Sequence, residues 1–180
     1  ARKLGYTPLY LRYNSGLHIW ENGKNLAGIL ETLQQNWPYP VDELVMIGHS
    51  MGGLLARSAC FHGEQEDHQW LQQLRKLVTI GTPHQGAQLE RGGNWVDYAM
   101  GISPYAEPLT RIAKKRSSGI TDLRHGSITE RQGFVAPLPV HVDCFAVAAT
   151  LGKKRGRIRE SLIGDGLVPV ESALGQSSKP

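Results

Sequence analysis

Gly48-His49-Ser50-Met51-Gly52 sets a serine between two glycines, each two positions away. A serine hydroxyl becomes a nucleophile when a neighbouring base takes its proton, and attack on an acyl carbon is the chemistry it then performs. The pattern alone is weak, because small residues at fixed spacing recur by chance. Its context strengthens it. Residues 43–47 (Glu-Leu-Val-Met-Ile) read as a short buried strand, and Leu54 to His62 read as an apolar helix ending at Gly63. Ser50 therefore falls at a strand–turn–helix junction. In so tight a turn, side chains at 48 and 52 are expected to collide with neighbouring backbone, so both are glycine. The serine is expected in a strained conformation at the strand's C-terminal edge. The helix N-terminus behind it favours negative charge, and the Met51 N–H points where an oxyanion would form. His49 should point away from the serine, and Gly53 extends the glycine run into the helix. The bland alternative is a glycine-rich turn with an incidental serine.

The elements around this turn alternate. Strands are expected at 8–13, 43–47, 77–80 and 140–149. Leu26, Ile29, Leu30 and Leu33 repeat on one helical face, and that helix should stop near Trp37-Pro38. Further helices are expected at about 66–75 and 104–115, the latter with Ser103 as N-cap and Pro104 at the first position. The pattern is α/β with a mainly parallel sheet and one domain over residues 1–180.

Composition narrows the classes. The chain has 180 residues, 20 Lys+Arg, 16 Asp+Glu and a formal net charge of +4. So mild a charge gives no argument for nucleic acid as a partner. No apolar run is long enough to span a membrane. Cys60 and Cys144 are too few for a disulfide framework and are read as buried free thiols. No short His-x-His or His-x-x-x-His spacing argues for a metal, and no cofactor motif is present. Arg111 to Arg116 and Lys153 to Arg159 are basic clusters, read as solvated faces or as contacts to an anionic lipid surface. The location is unknown, with the cytoplasm slightly favoured.

Gly48-His-Ser-Met-Gly-Gly53 resembles the nucleophile elbow of α/β-hydrolase lipases and esterases. Leu77-Val-Thr-Ile-Gly-Thr-Pro-His-Gln-Gly86 resembles the next strand and loop of the same lipase-like families, including the group related to GPI inositol-deacylases. Gly164-Asp-Gly-Leu-Val168 resembles the stretch that supplies their triad acid, which makes Asp165 the expected acid over Asp97, Asp122 and Asp143. The resemblance implies an α/β-hydrolase sheet with helices on both faces, incomplete at both ends. It implies residues 91–134 as a cap over the site. Trp95 and Tyr98 of that cap, and His84 at a strand end, are the candidate pocket lining. The family's chain order is Ser, Asp, His, yet none of the seven histidines follows Asp165. The family strand that brings the second oxyanion donor, between the strands at 8–13 and 43–47, is also missing from the sequence. The chain is therefore expected to be a fragment of a serine esterase or lipase, itself nearly inactive, with the first strand unable to pair normally. The implied partner is a small-molecule or lipid ester, with peripheral membrane contact. An acyltransferase or thioesterase with the same triad, or a degenerate binding domain, are the alternatives.

Overall fold

The computed structural model describes residues 1–86, 117–131, 134, 136–148 and 173–175. Helix α1 spans Ile19–Asn36, strand β1 Leu44–His49, helix α2 Met51–Gln65, strand β2 Leu74–Ile80, helix α3 Ser118–His125 and strand β3 Asp143–Val147. Short 3-10 helices lie at Arg2–Leu4 and Gln69–Gln72.

The three strands form one parallel sheet in the order β1-β2-β3, as the sequence implies for its last three strands. Side chains alternate between the two faces. Met46, Leu77 and Cys144 stand in one row, and Ile47, Val78 and Phe145 in the next. The first face carries the main core: Leu26 and Ala27 of α1, Leu55, Ala56, Ala59 and Cys60 of α2, with Trp70, Leu74 and Leu77. Among the described residues no helix covers the second face, and Ile47 is 70% exposed.

Helix α1 begins earlier than the apolar periodicity predicts. The Glu21 carboxylate accepts the His18 N–H at 3.0 Å, and Asp122 Oδ2 accepts the Ile19 N–H at 2.8 Å. These acceptors satisfy donors that a helix start leaves open. The helix ends at Asn36, with Trp37 as its extended cap before Pro38, close to where it is expected to stop. Its buried face runs through Ile19, Gly23, Leu26 and Ala27, while Ile29 is exposed. Gly23 sets that rotation, since a Cβ there would strike the Ser58 side chain of α2.

Four sequence expectations are corrected. Residues 8–13 form no strand, and the failure to pair expected of them is seen: among the described residues, 7–13 make no backbone–backbone hydrogen bond, and Tyr10 is 91% exposed. A strand exists through its ladder, and β1 pairs only with β2 among the described residues. Helix α2 runs past Gly63 to Gln65, because Gly63 is packed under Trp70 rather than acting as a stop. The expected helix at 66–75 is a turn, a 3-10 helix and the start of β2; Glu31 of α1 caps that 3-10 helix by accepting the Gln69 N–H at 2.7 Å. Finally, β3 covers Asp143–Val147 alone, and Cys144 is exposed.

Within the segment expected as a cap, residues 118–131 pack on the body. Ile120, Leu123 and Ile128 share a core cluster with Ile19, Met51 and Leu54. Ser58 Oγ donates to the Ile128 carbonyl at 2.7 Å. The helix expected at 104–115 and the two basic clusters lie outside the described residues. No helix among the described residues is long and apolar enough to cross a membrane.

Candidate active site

Ser50 stands between the end of β1 and the start of α2 with φ 52° and ψ −123°. A non-glycine residue with positive φ costs of order 1–3 kcal/mol, and the surroundings must hold it there. Two hydrogen bonds do so. The Ser50 N–H donates to the Ile80 carbonyl at 2.9 Å, and the Gly53 N–H donates to the Ser50 carbonyl at 3.0 Å. The end of β2 thus fixes the turn from the neighbouring strand.

The glycines divide the work differently from the sequence expectation. A Cβ at Gly48 would lie 2.5 Å from Gly53 N and 2.6 Å from the Gly52 carbonyl carbon. A Cβ at Gly53 would run into the Thr82 side chain. A Cβ at Gly52 would meet nothing within 4 Å, which overturns the expected collision there. The close approach is between the backbone at 48 and the first turn of α2, so 48 and 53 are the positions that need glycine.

Met51 is buried among Ile19 and Leu54, and its backbone N–H belongs to the first turn of α2, where donors have no intrahelical acceptor. His49 is exposed and stands in register with Ile80. The alternation of β1 puts it on the open face of the sheet.

His84 follows β2 at the same sheet edge. Arg57 Nη1 donates to His84 Nδ1 at 3.0 Å, and His84 Nε2 meets Thr79 Oγ1 at 3.1 Å. Arginine only donates, so Nδ1 accepts and the imidazole proton sits on Nε2. Thr79 Oγ1 in turn donates to the Phe145 carbonyl at 3.3 Å. Burial, and secondly the Arg57 charge, push the His84 imidazole down to about 4. Both ring nitrogens are committed and the ring is neutral, so His84 is not poised to take a proton from Ser50. Arg57 also donates from Nη2 to the Ala136 carbonyl at 2.9 Å, and burial lowers its own pKa. Sequence reasoning passed over Arg57; the available signal was a lone charge inside the apolar stretch Leu54 to Phe61.

A second polar pair lies at the start of α1. His18 Nδ1 meets Asp122 Oδ2 at 3.0 Å, and the ring stacks on Trp20. Asp122 therefore anchors α3 to α1. Among the described residues His62 Nε2 is buried without a partner, and burial lowers its pKa. His68 pairs with Glu66 at 3.3 Å, and His125 Nδ1 meets the Thr121 carbonyl at 2.8 Å. None of the seven histidines hydrogen-bonds Ser50. Asp165, Trp95 and Tyr98 lie outside the described residues. Ala173 is buried, and Gly175 lies against the His84 ring. Among the described residues no group of three or more His, Cys, Asp or Glu gathers to hold a metal.

The same fold occurs in solved structures of a Bacillus licheniformis lipase, BlEst2. Its propeptide form superposes with a TM-score of 0.61 at 21% identity, over 95% of this chain and 37% of that chain. Its mature form gives 0.60 at 22% identity, over 95% of this chain and 67% of that chain. This chain thus spans well under half of the propeptide form. No curated protein matches the chain. Residues 24–133, more than half of the sequence, match the PGAP1-like alpha/beta domain. The chain has a lipase-like α/β-hydrolase fold and belongs to the family of the PGAP1-like alpha/beta domain.

Proposed function

We propose that the protein is a carboxylic-ester hydrolase in which Ser50 is the nucleophile. The observation that supports this most is the backbone of Ser50: positive φ at a junction where β1 turns directly into α2, braced by Gly48 and the Ile80 carbonyl. Strain of this kind persists where the surroundings over-determine it, and it presents the hydroxyl at the strand edge. Ser50 Oγ attacks the ester carbonyl carbon as its proton passes to a base histidine, which later hands it to the leaving alcohol, and the carbonyl π electrons move onto oxygen. The Met51 N–H faces that oxyanion, and the α2 N-terminus adds a favourable potential. The tetrahedral intermediate collapses with loss of the alcohol, and water then cleaves the acyl-enzyme. Asp165 is assigned the role of fixing the tautomer of a base histidine and steadying its imidazolium. The substrate class is a small or lipid ester.

The test is covalent. A fluorophosphonate ester added to the native full-length protein is expected to modify Ser50, read by peptide mass spectrometry, and to leave Ser50→Ala unmodified. Undiminished modification of Ser50→Ala would remove Ser50 from the role. The 180 residues alone are expected to turn over short esters poorly, since no histidine in them hydrogen-bonds Ser50. Losing a triad member costs on the order of 10⁴–10⁶ in rate.

A further inference from the structure

Helix α2 buries one charged side chain, Arg57, which is 9% exposed. It follows Ser50 by two helical turns, so the two positions share a helix face about 10 Å apart along the axis. A long side chain on a helix leans toward the N-terminal end, here the end that carries Ser50. Its guanidinium meets His84, four residues past the Ile80 carbonyl that holds the Ser50 N–H. The cation therefore stands at the nucleophile's edge of the sheet. Its two hydrogen-bond partners, a neutral imidazole and the Ala136 carbonyl, bring no negative charge. No carboxylate pairs with it among the described residues, and its Nε is buried without a partner.

A buried cation without a counter-charge is costly. Arg57 stays charged because guanidinium is not deprotonated in proteins. Its field is little screened in so buried a place. We propose that Arg57 is a positioning residue for the nucleophile's site: its charge, held still by His84 and Ala136 and without a carboxylate partner among the described residues, favours the oxyanion that forms on the acyl group as Ser50 attacks it. This rests on Ser50 being the nucleophile. Thr79 and Phe145 complete the device, since the directed chain from Arg57 through His84 to the Phe145 carbonyl keeps the imidazole neutral beside the cation. For a charge on the order of 10 Å from the developing anion, at an effective dielectric constant near 20, the effect on rate is roughly tenfold.

The experiment follows the phosphonylation rate of Ser50 by a fluorophosphonate ester in the native full-length protein. Arg57→Met is expected to label about tenfold more slowly, and Arg57→Lys, which keeps the charge, within about threefold of the native rate. Leu55→Ala, a core change in the same helix, is expected to lower the melting temperature and leave the rate alone. Equal slowing in the Met and Lys variants, or equal slowing in Leu55→Ala, overturns the proposal. Labelling that persists in Ser50→Ala would instead reject the nucleophile. Should the Arg57 variants fail to fold, ¹⁵N chemical shifts of His84 in the native protein decide. The proposal requires an unprotonated Nδ1 and a protonated Nε2 from pH 8 to pH 5; an Nδ1–H tautomer or titration near 6.5 overturns it.

Discussion

At the scale of single residues, the elbow shows how a motif can be legible while its reasons are not. Gly-x-Ser-x-Gly was readable because strand and helix patterns flank it. Which glycines are obligatory depends on distances across the turn, which no sequence pattern carries. Gly48→Ala places a methyl group against the backbone of residues 52 and 53, and a loss of at least about 2 kcal/mol is expected. Gly52→Ala enters open space inside a helix, and a gain of up to about 1 kcal/mol is expected. Urea unfolding of the two variants compares them directly. His84 supplies a pH signature. The unfolded chain binds a proton at this residue near pH 6.5, whereas the folded ring stays neutral down to about 4. Between those values the unfolded state holds more protons, so stability falls as pH drops through the window and is level above it. His84 is half-buried, so the loss from pH 7 to pH 4 is expected to be about 1–2 kcal/mol. His84→Gln should remove that part of the slope, measured as the difference in urea midpoint between pH 7 and pH 4.5.

At the scale of elements, β1, β2, β3 and the end of α1 followed from apolar runs and from Pro38, because those signals are local. The start of α1 and all of α3 did not. The first depends on Asp122, more than a hundred residues away, which accepts the Ile19 N–H. The second is held by Ile120 and Leu123 against Met51 and Leu54, a contact invisible to periodicity over eight residues. Residues 8–13 have strand composition and form no strand, since pairing belongs to two segments and not to one. Helix packing makes the same point within one helix. Gly23 and Gly28 both lie in α1, where alanine has the better propensity. Gly23 is the contact with Ser58 of α2, and Gly28 has nothing within 4 Å. Gly28→Ala is expected to stabilise by up to about 1 kcal/mol. Gly23→Ala is expected to cost 1–3 kcal/mol, because the added methyl group must push α1 off α2. Thermal unfolding of both variants is the check; equal and favourable shifts would mean that the two helices are not in the contact described.

At the scale of the whole molecule, the position of the helices follows from chirality. The connections from β1 to β2 and from β2 to β3 step the same way across the sheet. Right-handed crossovers then put α2 and α3 on one face, and α1 packs against α2 on that side. Among the described residues the other face keeps Ile47, Phe145 and Val147 in solvent, with Phe145 49% exposed. Parallel sheets are ordinarily covered on both faces, and the outer edge of β1 adds backbone groups with no ladder partner among the described residues. An open strand edge beside an apolar face is a template for association between chains. The isolated 180-residue chain is therefore expected to self-associate at micromolar concentration, with faster sedimentation as concentration rises. Ile47→Lys sets a charge on both the open face and the edge strand, and Phe145→Lys sets one on the face alone. If the edge guides association, Ile47→Lys raises the monomer fraction more than Phe145→Lys does. If the face dominates, the two act alike. A native chain that sediments as a monomer at every concentration would show that neither surface is available in solution.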